Sequence, residues 1–93
     1  MRDERYQQVK ALIQQGYIKE FSQIFKVIPK SIFHEDIGVN YRRMSKMIAD
    51  LGTISITDIY TMCAVLEIDF MTMLGLITKE YNRRKVAKKM SGK

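Results

Sequence analysis

The sequence predicts an all-α protein, a compact bundle of five to six helices that ends in a basic C-terminal tail. Apolar residues recur every three or four positions over most of the chain, the spacing of helices with one buried face. Several of these stretches begin at capping residues and end at glycine, as helices do. A length of 93 residues is enough for one small domain with a single core.

The first predicted helix carries Tyr6, Val9 and Ile13 on one face and stops near Gly16. A second, short helix is predicted over residues 18–28, where apolar residues continue at helical spacing. These two helices precede the part of the chain with the strongest functional signal.

Pro29 ends the second helix, because the residue before a proline disfavours helical geometry. Proline is also at home in a first turn, so the third helix begins there and runs to about Ile37. Gly38 supplies a short turn, and Asn40 is a good N-cap for the fourth helix. Gly52 is expected to close that helix. Its predicted buried stripe consists of Met44, Met47, Ile48 and Leu51.

Two further helices complete the predicted bundle. Ser55 and Asp58 have the spacing of a capping box, the clearest helix start in the chain. The predicted core face of the helix that follows consists of Ile59, Met62, Cys63 and Leu66. Asp69 is placed to cap the last helix. Its predicted core face consists of Phe70, Met73, Leu74, Ile77 and Tyr81.

Charge is distributed unevenly along the chain, whose formal total is +6. Residues 83–93 hold six basic and no acidic residues, residues 26–48 carry +3, and residues 49–82 carry −4. A basic region confined to one element is the pattern expected for contact with a polyanion. We therefore predict a folded domain over residues 1–82, followed by a flexible basic tail. The candidate phosphate contacts of this tail are Arg83, Arg84, Lys85, Lys88 and Lys89.

The segment from Lys30 to Ala49 has the layout of a helix-turn-helix motif, with a helix, a glycine turn and a second helix. Because the second helix buries its methionines, its polar side chains lie toward its exposed side and its N-terminal end. These side chains are Asn40, Tyr41, Arg42, Arg43, Ser45 and Lys46. Arginine bonds guanine bidentately, asparagine bonds adenine, and lysine and serine contact bases or phosphates. Lys30, at the start of the first motif helix, is placed for a phosphate of double-stranded DNA.

Residues 30–77 resemble the lambda-repressor-like helix-turn-helix family, of the Cro and XRE type. The first motif helix ends in the hydrophobic-glycine pair Ile37-Gly38, and the recognition helix is a polar run interrupted by Met44. The most specific part of the match is the stretch ISITDIYTMCAVLEIDFMTMLGLI, in which Ala64 takes the place of an inward-facing alanine of the family.

The resemblance implies a bacterial or phage-like transcriptional regulator that binds specific sequences of duplex DNA as a homodimer. It assigns base or groove contacts to Tyr41, Arg42, Ser45 and Lys46, and places Lys30 and Arg43 nearer the phosphates. His34 stands where the family usually has an alanine packed beneath the recognition helix. The larger side chain, together with the extra helix before the motif, predicts a changed docking angle.

The last helix is apolar on more than one side, which is typical of a buried or interfacial helix. We expect a homodimer contact there, with Phe70, Met71, Leu74 and Leu76 as candidates. The same apolar helix also fits a protein-interaction module, such as an antitoxin or accessory factor with weak DNA binding. Binding to RNA or single strands is disfavoured, because the sequence shows no aromatic platform for base stacking.

Several other classes of function are excluded by the sequence. It contains no nucleophile elbow, no phosphate-binding glycine loop and no metal-binding triad, so we expect no enzyme, cofactor or metal. Cys63 is the single cysteine and is predicted to be an inert core thiol of a reducing compartment. The charged start is unlike a secretory signal, and the longest apolar stretch is too short to span a bilayer. A cytoplasmic, nucleoid-associated protein without a membrane partner is therefore expected.

Overall fold

The computed structural model describes residues 3–91, with side chains up to residue 87. In this part of the chain every regular element is a helix, which confirms the all-α prediction. The α-helices are α1 (Arg5–Gln14), α2 (Lys30–Asp36), α3 (Tyr41–Ala49), α4 (Ile56–Leu66) and α5 (Phe70–Ser91). A first 3-10 helix spans Phe21–Lys26, and a second spans Leu51–Thr53.

The core begins where α1 and α2 bring their aromatic rings together. Tyr6 and Val9 of α1 are buried as predicted, and the helix ends shortly before Gly16. The ring of Phe33 on α2 is fully buried and packs edge-on against Tyr6 and Phe25, with centroids 5.9 and 5.6 Å apart. Each such pair adds about 0.5–1.5 kcal/mol to the stabilisation from burial alone.

Residues 18–28 differ in geometry from the prediction. They contain the first 3-10 helix in place of an α-helix. Phe21 and Ile24 are fully buried, and their separation of three residues matches the three-residue turn of a 3-10 helix. Glu20 and Gln23 form a capping box at its start. Phe21 and Ile24 are therefore buried as predicted, but they lie on a 3-10 helix, which is more tightly wound than an α-helix.

The methionines of α3 fix this helix on the core. Met44 and Met47 have no exposed surface, and Leu51 is 4% exposed, in agreement with the predicted stripe. The helix ends at Ala49, three residues before the predicted closure at Gly52. Gly52 instead lies in the second 3-10 helix, where its amide donates to the side chain of Asp50 at 3.1 Å.

The capping box at the start of α4 is present as predicted. The Asp58 amide donates to the Ser55 hydroxyl at 3.0 Å, and the Ser55 amide donates to the Asp58 carboxylate at 2.9 Å. The predicted core residues of α4 are all buried: Ile59, Met62, Cys63 and Leu66. The inward position assigned to Ala64 is wrong, because this residue is exposed.

The last helix, α5, differs from the prediction toward its C-terminal end. Tyr81 was expected in the core but is 44% exposed, and Glu80 is buried in its place, at 1% exposure. No described side chain after Glu80 is buried, yet the helix continues to Ser91. The boundary predicted after residue 82 therefore falls inside a continuous helix, and residues 83–91 are helical where a tail was expected.

Candidate nucleic-acid interface

The turn between α2 and α3 is built by three local interactions. Gly38 has a φ of +76°, a left-handed conformation that favours glycine. The Asn40 side chain accepts a hydrogen bond from the Arg43 amide at 2.7 Å and so caps α3. Nδ1 of His34 lies 2.8 Å from the Val39 carbonyl oxygen and links α2 to the turn. These contacts give α3 a defined start beside α2.

The exposed side of α3 presents a cationic surface. Asn40, Arg42 and Lys46 are exposed, while Ser45 is half-buried. An open depression of about 390 Å³ lies here. It is lined by Asn40, Arg42, Arg43, Lys46 and Thr53. Thr53 was not predicted, because it comes from the second 3-10 helix and only the tertiary fold brings it beside α3.

Tyr41 is held between two side chains of α2. The Lys30 ammonium lies 5.2 Å from the centre of the Tyr41 ring, which is cation–π distance. The His34 ring meets the same ring edge-on, with centroids 5.4 Å apart. Tyr41 nevertheless remains 47% exposed. The residue is therefore a fixed but accessible aromatic group at the start of α3.

Arg43 is engaged by α4 through a bidentate ion pair. Its guanidinium donates to the two carboxylate oxygens of Asp58 at 2.9 and 2.6 Å. This hydrogen bonding is the main reason that the pKa of Asp58 falls from 3.8 to about 2, and it raises the pKa of Arg43. Arg43 was predicted near phosphates, but the structure ties its guanidinium to the capping box of α4 while leaving 41% of the side chain exposed.

The basic residues at the end of α5 have different surroundings. Arg83 pairs with Glu20 at 2.6 Å, and Arg84 pairs with Glu80 and also binds backbone carbonyls of α3. Arg83 and Arg84, both predicted to contact phosphates, thus already have partners within the chain. Lys85 is exposed. The predictions for Lys88 and Lys89 concern side chains outside those described.

The dimer candidates on α5 differ in their exposure. Met71 is 67% exposed, whereas Phe70 and Leu74 are half-buried. Leu76 is only 7% exposed and packs into the core, so it is wrong as an interface residue. The three- and four-residue spacing of apolar residues in α5 did not reveal which side faced α4.

Two exposed apolar residues of α4 were missed by the sequence prediction. Ile56 and Tyr60 are 66% and 60% exposed and lie one turn apart. The Tyr60 ring lies 4.7 Å from that of Phe70, centre to centre. We call Ile56, Tyr60, Phe70 and Met71 the apolar patch. The sequence could have predicted that Ile56 and Tyr60 are exposed, because their positions do not fall on the predicted core face of α4.

Three further features of the described part of the chain concern metal binding, the single thiol and membrane spanning. No group of three or more histidine, cysteine or acidic residues is placed to hold a metal ion there. Cys63 is buried, and burial raises the pKa of its thiol, as expected for an inert core cysteine. Among residues 3–91 no single helix is long and apolar enough to cross a membrane. The helices α4 and α5 meet both requirements only when they are taken together, and a bend of 118° separates them.

Comparison with known proteins adds no family assignment. No protein-family model matches the chain, and no curated protein or solved structure is significantly similar to it.

Proposed function

We propose that this chain is a lambda-repressor-like helix-turn-helix protein that binds specific sequences of double-stranded DNA. It acts as a transcriptional regulator in the cytoplasm, on the nucleoid, in the form of a homodimer. The proposal involves no catalytic step and no cofactor.

The arrangement of α3 is the observation that carries this proposal. Met44 and Met47 anchor one face of the helix in the core, so Arg42 and Lys46 project from the opposite side. An α-helix fits the major groove, and the N-terminal residues of a recognition helix reach base edges there. The depression beside α3 is lined by cationic and hydrogen-bonding side chains, which suits base edges and neighbouring phosphates.

The proposed roles follow the exposure of each side chain. Arg42 and Lys46 bond base edges, and Tyr41 and Ser45 contact the groove. Lys30 binds a phosphate from the first turn of α2. Arg43 is a weaker phosphate candidate than the sequence indicated, since Asp58 already accepts two of its hydrogen bonds.

The apolar patch supports the proposed homodimer. Its four residues are uncharged, and the exposed charged residues between Ser55 and Thr78 are Glu67 and Asp69, of which Asp69 directly precedes Phe70. A two-fold contact brings a patch against its own copy, so a patch without charge avoids like-charge repulsion. The alternative, an antitoxin or accessory factor, would use the same patch to bind a different protein.

Selection from a randomised duplex library at near-physiological salt tests the proposal. Enrichment of a palindrome with half-sites about 34 Å apart is expected for a dimer that reads adjacent turns of the major groove. Arg42→Ala should relax the preference at one base position per half-site, with a loss of about 1–3 kcal/mol of discrimination. Lys19→Ala is the matched control, because Lys19 is an exposed cation outside the motif.

Two other results would contradict the proposal. Recovery of duplexes without enrichment would leave only non-specific attraction to phosphates. Failure to recover duplex DNA, together with a stable complex with another protein of the native host, would favour the antitoxin or accessory factor.

A further inference from the structure

Arg84 connects the exposed end of α5 to the last turn of α3. Its guanidinium donates to the carbonyl oxygens of Ile48 and Ala49 at 2.9 and 3.1 Å, and it also donates to Glu80 on its own helix. The side chain is 33% exposed, so it is partly enclosed between the two helices. A residue expected to contact phosphate thus binds the backbone of the proposed recognition helix.

Glu80 anchors this arginine to the body of the protein. The carboxylate is buried and accepts two hydrogen bonds from Ser22, one from the amide and one from the hydroxyl, each at 2.8 Å. These bonds tie Glu80 to the first 3-10 helix and leave the carboxylate to orient Arg84. A buried carboxylate with these partners has little freedom to move. It therefore also restricts the guanidinium of Arg84, to which it is bonded.

The C-terminal end of α3 suits such a contact. The last four carbonyl groups of an α-helix have no partner within the helix, and they carry the negative end of the helix dipole. Arg84 supplies both a positive charge and two hydrogen bonds to this end. Near the other end, Arg43 binds Asp58 of α4. The nine-residue α3 is therefore held by an arginine near each end.

We propose that Arg84 is a positioning residue that fixes the angle of α3 relative to α5 and so sets discrimination between DNA sequences. The inference rests on the proposed function. It assigns Arg84 a role different from the phosphate contact predicted from sequence. A phosphate contact carries no sequence information directly, whereas the angle of the recognition helix decides which base edges its side chains reach.

Arg84→Lys and Arg83→Lys form a matched pair of variants that both preserve charge. Lysine at 84 keeps a cation beside Glu80, but a single ammonium cannot reproduce the fork that reaches two carbonyls and a carboxylate. Arg83 lies on the same helix but pairs with Glu20 and Glu80, so its replacement controls for loss of a guanidinium on α5. Binding is measured with the duplex enriched by selection and with a scrambled duplex of equal length.

We expect Arg84→Lys to lower the ratio of specific to scrambled affinity by about tenfold, the effect of weakening one base-edge contact by about 1.4 kcal/mol. Arg83→Lys should change this ratio by less than about twofold. The affinity for the scrambled duplex should be equal in both variants, since the charge is unchanged. An unchanged ratio in Arg84→Lys, or an equal fall in both variants, would overturn the positioning role.

A second measurement separates this inference from the proposed function. In the free protein, Arg84→Lys should speed hydrogen exchange at the amides of the last turn of α3 and of the second 3-10 helix, while Arg83→Lys should not. Unchanged exchange would overturn the inference even if the wild-type protein discriminates between duplexes. If Arg84→Lys exchanges faster but the wild-type protein does not discriminate between duplexes, the proposed function is contradicted. The conclusion that Arg84 stabilises the end of α3 would still stand.

Discussion

At the scale of single residues, Asp58 joins α3 to α4. Its carboxylate caps α4 and binds Arg43 of α3, and the residue is 7% exposed. The pKa of Asp58 is lowered to about 2 in the folded protein, so the ion pair stabilises the fold above pH 4. This stabilisation is lost as pH falls from about 4 to about 2, because the unfolded state then binds the proton more readily.

We therefore expect Asp58→Asn to lower the free energy of unfolding at pH 7 by about 2 kcal/mol, which corresponds to the shift in pKa. Urea unfolding at pH 7 and pH 2.5 checks this, and the difference between variant and wild type should shrink at the lower pH. Glu35→Gln, at an exposed position of α2, is the control and should leave both values nearly unchanged. A deficit of equal size at both pH values would show that Asp58 acts through packing rather than charge.

His34 has a defined structural role between α2 and the start of α3. Sequence reasoning identified it as an unusually large group beneath the recognition helix. The structure shows the imidazole bonded to the Val39 carbonyl and packed against Tyr41. Its size is thus used to support the turn and the first residue of α3. Neither partner follows from helical periodicity, because both contacts depend on how α2 and α3 cross.

At the scale of secondary-structure elements, two glycines give opposite expectations. Gly38→Ala forces an L side chain into φ +76° and should lower the free energy of unfolding by about 1–2 kcal/mol. Gly75 lies inside α5 with nothing within 4 Å of an added Cβ, so Gly75→Ala should raise it by about 0.5–1 kcal/mol. Thermal or chemical unfolding measures both changes, and a destabilised Gly75→Ala would indicate a close contact at that position.

Helices that begin with a local signal were predicted well from the sequence. The Asn40 cap and the Ser55–Asp58 capping box use partners within three residues, so the sequence alone contains both groups. The end of α5 was predicted poorly for the opposite reason. Burial of Glu80 depends on Ser22, which lies 58 residues earlier in the chain, so periodicity placed Tyr81 in the core instead.

In the candidate site, too, local features were predicted from the sequence and contacts between distant residues were not. The exposed positions on α3 follow from which methionines are buried, and the sequence identified Asn40, Arg42 and Lys46 correctly as exposed. The pairing of Arg43 with Asp58 spans 15 residues, and that of Arg84 with Ile48 spans 36. The sequence shows where the arginines are, but the partners of Arg43 and Arg84 are distant in the chain. Only the tertiary fold therefore decides whether a carboxylate or a carbonyl group binds them.

At the scale of the whole molecule, the basic end of α5 should add affinity without discrimination. Lys88→Gln combined with Lys89→Gln should weaken binding to every duplex alike and reduce the slope of log affinity against log salt by about 1.8. Titrations of specific and scrambled duplexes at several salt concentrations check this. Lys10→Gln combined with Lys19→Gln removes the same charge from the N-terminal part of the chain and should change the slope less.

The apolar patch predicts that the protein assembles as a homodimer. A homodimer that buries Met71 would have to bury two carboxylates in the variant Met71→Glu, and these charges would repel each other across the two-fold axis. We therefore expect sedimentation equilibrium to show a dimer for the wild type and a monomer for Met71→Glu. Val86→Glu is the matched control, because Val86 is an exposed apolar residue of the same helix outside the patch, at 55% exposure.

The buried position of Leu76 decides how this experiment must be designed. Leu76→Glu would place a charge in the core of the monomer and should unfold it, so a lost dimer in that variant would say nothing about an interface. Met71→Glu avoids this difficulty, since circular dichroism should show the same helix content as the wild type. A wild-type monomer would contradict the homodimer, and a wild-type dimer that persists in Met71→Glu would place the contact outside the apolar patch.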